Sequence, residues 1–246
     1  MYFMGIAFLG IVNFLIKDFA MTWPRPLPEA IQFLNPVMAY TTGIVLVIAA
    51  GFALAKRNIA MVSVIIACLI LVLLTSRHLY NYWRDYINGF KSLVFVSGAL
   101  LAYASTAIET RNKKVIHLLS FVAVFLFFTV CGYAHLAFSK FVQDLIPTFI
   151  PFRSFFTWFT GICLLLGGIG ILIQKTRSLA ALLSGIMIAS WFFLLHLPRA
   201  FSQQQGYGEW TSVGESFAIA GICFMIYGIS ASVTEPARVN SVRNVL

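Results

Sequence analysis

Eight runs of apolar residues divide the chain, at roughly 2–17, 37–55, 59–77, 90–107, 116–138, 155–173, 178–197 and 213–232. Each is about long enough to cross the roughly 30 Å hydrocarbon core of a bilayer. In hydrocarbon a backbone N–H or C=O finds no water, so a single run of this kind satisfies its polar groups only as a helix. The expected fold is therefore all-α: a polytopic membrane protein with eight transmembrane helices. Composition closes the alternatives. Of 246 residues, 60% are hydrophobic and 10% charged, against roughly 25% charged in soluble domains. A soluble exterior needs more charge than this, and disordered chains are poor in apolar residues. The first run begins at the N-terminus without a basic leader or a small-residue cleavage site, so it is taken as a helix and not a signal peptide.

The net charge of +9 does not point to nucleic acid. The basic residues lie in short groups between apolar runs, with no basic face interleaved with aromatics. Their distribution bears instead on orientation. The turns after the second, fourth and sixth runs, together with the C-terminal tail, hold nine Lys and Arg against two acidic residues, Glu109 and Glu235. They are tight and basic, as in Lys56-Arg57-Asn58 and Arg111-Asn112-Lys113-Lys114. The opposite side holds eight basic and six acidic residues in longer, mixed loops. Both termini are expected in the cytoplasm, with the protein in a bacterial inner membrane and the lipid bilayer as its first partner.

An internal repeat is the next constraint. A shift of 118 residues places Thr42-Gly43-Ile44 on Thr160-Gly161-Ile162 and His78-Leu79 on His196-Leu197. A shift of 122 or 123 places Gly10 on Gly132, Lys17 on Lys140, Pro24 on Pro147, Pro28 on Pro151 and Gly98 on Gly221. The same shift sets Asn13 against His135. The expected organisation is two four-helix repeats, 1–108 and 115–235, joined by a basic linker at 109–114 and followed by a polar tail at 236–246. An even number of helices returns each repeat to the side it started from, so the two are parallel. Each has one long loop with two prolines, 18–36 and 139–154, where proline stops the helix.

Ionisable residues in lipid are costly and mark functional sites. His78, His135 and His196 all fall at helix ends on the expected outer side, together with Arg199, Glu209 and Glu215. In Phe192-Phe193-Leu194-Leu195-His196-Leu197-Pro198-Arg199 a helix delivers His196, Pro198 is expected to close that helix, and Arg199 stands just beyond, suited to an anion or carboxylate. These residues and Asn13 are the ligand-binding candidates, and the second repeat, richer in titratable groups, is the better placed to hold a site. Each has an ordinary alternative. A helix-end His caps carbonyls or sits at headgroup level. Ser212-Val213-Gly214-Glu215 fits an S-x-x-E capping box, which would put Glu215 on a helix N-terminus. Trp23, Trp83, Trp158 and Trp210 suit an interfacial belt.

Several chemistries lack their signature. There is no HxxxH or HExxH pair for a metal. Cys68, Cys131, Cys163 and Cys223 lie inside apolar runs without a CxxC. No haem, flavin or iron–sulfur motif is present. Gly167-Gly168-Ile169-Gly170 lies mid-helix with no strand before it and no Lys-Ser/Thr after it, so it is a packing element and not a phosphate loop.

A helix ending in Gly132-Tyr133-Ala134-His135, a loop with Pro147 and Pro151, Thr160-Gly161-Ile162 opening the next helix, and the later His196-Leu197-Pro198-Arg199 together resemble the DoxX-like small membrane proteins. That family has a four-helix unit, and this chain is similar to two such units in tandem. The resemblance is clearer in residues 118–232 than in 1–108, where Asn13 replaces the histidine and His78 lacks the Pro-Arg pair. It implies a link to quinone-coupled sulfur oxidation or to redox-stress proteins, and it transfers no catalytic residue. Three function classes follow. One is a redox-associated membrane subunit holding a quinone or another amphipathic molecule near His135, His196 and Arg199, with electrons from a protein partner. The second is a non-catalytic scaffold or assembly factor with a membrane partner. The third, a small-solute transporter, is weakest, because broken helices and mid-membrane charges are missing from the sequence pattern.

Overall fold

The computed structural model describes residues 1–19, 29–75, 86–106, 111–202 and 208–243. Helices account for nearly all of these residues, and none of them is in a strand. In chain order they are α1 (Tyr2–Ile16), a 3-10 segment (Glu29–Leu34), α2 (Asn35–Leu54), α3 (Ile59–Leu74), α4 (Tyr86–Thr106), α5 (Arg111–Ala137), α6 (Ser139–Leu145), α7 (Arg153–Leu172), α8 (Arg177–Trp191), a π turn (Phe192–His196), α9 (Leu197–Ser202) and α10 (Gly208–Arg243).

Each apolar run of the sequence contains one of the long helices. Six segments are long and apolar enough to cross a membrane: Ala30–Leu54, Tyr86–Thr106, Asn112–Ala137, Arg153–Leu172, Arg177–Ser202 and Gly208–Ser232. The other two apolar helices, α1 and α3, have 15 and 16 residues. The molecule is thus an all-helical protein suited to a lipid bilayer.

Four boundaries depart from expectation. α4 begins at Tyr86 and not near residue 90, and α10 begins at Gly208 and not near 213, which draws Glu209 into a helix and sets Lys91 a turn inside one. α5 starts at Arg111, inside the expected linker, and α10 runs to Arg243, through the expected polar tail. The 139–154 loop contains α6, where Lys140 and Asp144 pair at 2.7 Å one helical turn apart. Ile146 then turns extended ahead of Pro147, because a residue before proline is pushed out of the helical region.

Helix pairing has a regular pattern. α1 packs along α2 and α5 along α7, while α3 packs along α4 and α8 along α10. Across these pairs α1 lies against α10, and α5 lies against α4. The centre belongs to α4 and α10, in each of which 61% of the 18-residue apolar stretch is buried, against 22–44% in the other spans. Between helices in lipid there is no hydrophobic drive to associate, so close van der Waals approach carries the packing. Two glycine pairs allow it. A Cβ on Gly10 would stand 2.8 Å from the Gly43 carbonyl oxygen, and one on Gly132 would stand 2.8 Å from that of Gly161. Polar ties add to this. The Tyr2 hydroxyl donates to the Phe95 carbonyl at 2.7 Å, and Asn13 Nδ2 donates to Thr42 Oγ1 at 3.1 Å and to the Ala39 carbonyl at 3.2 Å.

Candidate functional site

The site is built where α5, α7 and α8 diverge at the end of the bundle that carries α6 and α9. Its local cause is Pro198. Proline lacks an N–H, and its ring collides with the carbonyl four residues earlier. The expectation that Pro198 closes the helix is not met. The chain instead opens a π turn over Phe192–His196, in which the Leu197 N–H bonds the Phe192 carbonyl five residues back, and it continues as α9 to Ser202. Pro198 then follows directly on the widened turn, which makes room for its ring and its missing N–H inside a continuing helix. The extra residue of a π turn rotates the next stretch of helix by about 100°, one residue's share of a helical turn. Such turns are frequent at functional sites.

A cavity of about 390 Å³ results, within the roughly 300–1,000 Å³ of small-molecule sites. Its wall is mostly apolar, from α6 residues such as Leu145, α8 residues such as Met187 and Leu194 of the π turn, with polar groups at His135, Thr157, Thr160, Ser190, Trp191, His196 and Arg199. His135 sits in the last turn of α5, its Nδ1 2.8 Å from the Cys131 carbonyl, so Nδ1–H donates there. In the neutral ring that leaves Nε2 as an acceptor. The imidazole stacks on Trp191 at 6.2 Å between centroids and 19° between planes. Nδ1 of His196 is buried and has no hydrogen-bond partner among the described residues.

Arg199 closes one end. Its Nη2 donates to Glu209 Oε1 at 2.7 Å and its Nη1 to the Leu145 carbonyl at 2.9 Å, fastening α9 to α10 and α6. The carboxylate anticipated for this arginine is therefore Glu209 itself. Glu209 Oε2 is buried without a partner among the described residues. Beyond the imidazoles lies a second chamber of about 190 Å³, lined by Lys91, Cys131, Ser212, Glu215 and Ser216 among others. His135, Trp191 and His196 line both spaces, so three aromatic side chains stand between them. Lys91 and Glu215 form an ion pair at 2.7 Å with side chains 18% and 9% exposed. The capping-box reading of Glu215 falls here, because α10 starts seven residues earlier and Glu215 lies inside it, bonded across to α4.

Of the candidates, His135, His196 and Arg199 come together in one cavity, Glu209 backs Arg199, and Glu215 belongs to the second chamber. Asn13 ties α1 to α2 and lies outside both spaces. His78 lies outside the described residues. Sequence reasoning misses two participants. Trp191 carries no signal of its own in an apolar run. Lys91 does carry one, since a lysine within an apolar helix needs a partner, but at the edge of its run it reads as a loop charge. Among the described residues no group of three or more His, Cys, Asp or Glu is placed to hold a metal ion.

Residues 123–216 match a family model described as "Domain of unknown function (DUF8561)". The matched stretch contains every residue that lines the 390 Å³ cavity, and Glu209 and Glu215 as well. No curated protein and no solved structure matches the chain.

Proposed function

We propose that this is a DoxX-like, redox-linked subunit of a bacterial inner membrane that binds a quinone in the cavity between α5, α7 and α8. The observation that carries the reading is the meeting of His135 and His196 in a largely apolar space at the end of two separate helices. A quinone presents carbonyl oxygens and a flat apolar ring. An imidazole N–H of His196, whose Nδ1 has no partner among the described residues, suits the first as a donor, His135 Nε2 suits a quinol hydroxyl as an acceptor, and Trp191 with its apolar neighbours suits the flat ring. In this role a partner protein supplies the electrons, His196 donates to a quinone oxygen, and His135 Nε2 accepts from a hydroxyl of the reduced quinol.

The reading includes two parallel four-helix units, α1–α4 and α5–α10, and eight membrane crossings. Its support is the matched pairing of α1 with α2 and α5 with α7, and of α3 with α4 and α8 with α10. The glycine contacts Gly10–Gly43 and Gly132–Gly161 fall at positions related by the sequence shifts. α1 and α3 would span roughly 22–24 Å at 1.5 Å per residue, a shortfall that local bilayer thinning takes up. Lys56, Arg57, Lys175, Lys113 and Lys114 all lie at the bundle end opposite the cavity, which supports cytoplasmic termini.

The test is tryptophan fluorescence of the protein in nanodiscs titrated with a short-chain substituted benzoquinone. Saturable quenching is expected, lost in Trp191→Phe. His196→Ala should weaken binding about tenfold, the worth of one hydrogen bond near 1.4 kcal/mol. Unsaturable quenching that does not depend on Trp191 would leave a scaffold as the better account, in which the histidines only pack.

A further inference from the structure

A head group in the cavity must have a route in and, if it carries a tail, a route out. An apolar groove of about 690 Å³ runs between α7 and α8, with Cys163, Leu166 and Gly170 on one bank and Ala180, Leu183 and Ile186 on the other. Phe159, Met187 and Ser190 line both the groove and the cavity, so the two spaces adjoin. The groove continues to Ile173 and Thr176, near the far ends of both helices, while Leu166 and Leu183 are more than half exposed, which places it open to the hydrocarbon. Its banks stay narrow because both helices carry small residues there. A Cβ on Gly170 would stand 2.7 Å from that of Ala180, and one on Gly167 would stand 2.6 Å from Ser184 Oγ.

From this continuity we infer that the α7–α8 groove is the lateral portal and tail track of the cavity, taking the single isoprenoid tail of a ligand whose uncharged, carbonyl-bearing head lies against His135 and His196. This deepens the quinone reading and rests on it. Head charge is set by Arg199, the one cation on the cavity wall among the described residues. Its Nη1 and Nη2 are both engaged, and its charge is paired with Glu209. A phosphate head would have to break that pair, and a diacyl lipid would need room for two tails. A neutral head with one tail meets neither obstacle. Leaving the groove for bulk lipid costs a tail little, since hydrocarbon replaces hydrocarbon. The groove therefore governs where the tail lies more than how tightly the head binds.

The experiment uses a prenylated benzoquinone with a diazirine at the tail end, photolysed with the intact protein in nanodiscs and mapped by peptide mass spectrometry. Adducts are expected in 163–173 and 179–187, at least fivefold above those in the lipid-facing helices α2 and α3, and removed by excess unlabelled prenylquinone but not by excess phospholipid. Cys163→Phe should disperse them while the tail-less head still quenches Trp191. Adducts spread evenly over α2, α3, α7 and α8 overturn the tail track even if the head binds. Competition by phospholipid assigns the groove to ordinary lipid and overturns the proposal as well. Loss of Trp191 quenching by the head alone would instead count against the quinone reading itself.

Discussion

Lys91→Met is expected to lower the stability of the folded protein by about 3 kcal/mol, because removing one partner of a buried ion pair leaves the other charge stranded. Lys91 and Glu215 lie 124 residues apart, on the two most enclosed helices, and meet at 2.7 Å. Their side chains are only 18% and 9% exposed, so solvent screening gives little relief. The sign of the effect separates an ion pair from a merely tolerated lysine. In the double variant Lys91→Met, Glu215→Met both charges are gone and the desolvation cost goes with them, so most of the loss should be recovered. Thermal unfolding in a mild detergent reads both. A single variant within about 0.5 kcal/mol of the parent, the ordinary range of an inconsequential substitution, would show that the pair contributes nothing to the fold.

Gly132→Leu and Gly10→Leu should each destabilise by about 3 kcal/mol, the upper end of the cost of overpacking. The reason is what a Cβ would meet. At both positions the obstacle within 3 Å includes the backbone carbonyl oxygen of the facing helix, Gly161 for one and Gly43 for the other, and backbone cannot swing aside as a side chain can. Gly51→Leu is the control, since nothing lies within 4 Å of its Cβ position. It should be neutral or slightly stabilising through the gain in helix propensity. Equal losses at all three sites, measured by the same unfolding assay, would mean that general helix perturbation and not the α1–α2 and α5–α7 contacts decides the outcome. A side chain at 132 pushes on the Gly161 backbone, and position 161 lies against the His135 Cβ, so Gly132→Leu should weaken quinone quenching as well.

Much of the fold is legible without coordinates. Long apolar runs give helices in lipid through local composition alone, and the eight runs each hold one. Asn13 and His135, set against each other by the sequence shift, have similar surroundings. Both sit one turn beyond a glycine that touches a second glycine, and both stand at the same kind of helix contact. Boundaries are harder to place. Glu209 lies beyond the apolar core of its run and reads as loop, yet α10 extends outward to include it because Arg199 and the neighbouring helices cover that turn. A purely local rule has Pro198 end its helix. Here the chain relieves Pro198 by widening one turn and goes on as helix, with Phe192 of that turn packed on Phe217 of α10 at 4.9 Å between ring centroids.

By itself the sequence determined that the chain is suited to lipid as helices and that His135 and His196 fall toward one end, since hydropathy and helix direction are properties of each segment alone. Only the tertiary structure decided which polar groups meet. Arg199 reaches Glu209, Lys91 reaches Glu215, and His135 and His196 share one cavity while Asn13 is spent on holding two helices together. Those outcomes depend on the rotation and depth at which helices pack, and glycines that permit backbone contact set both.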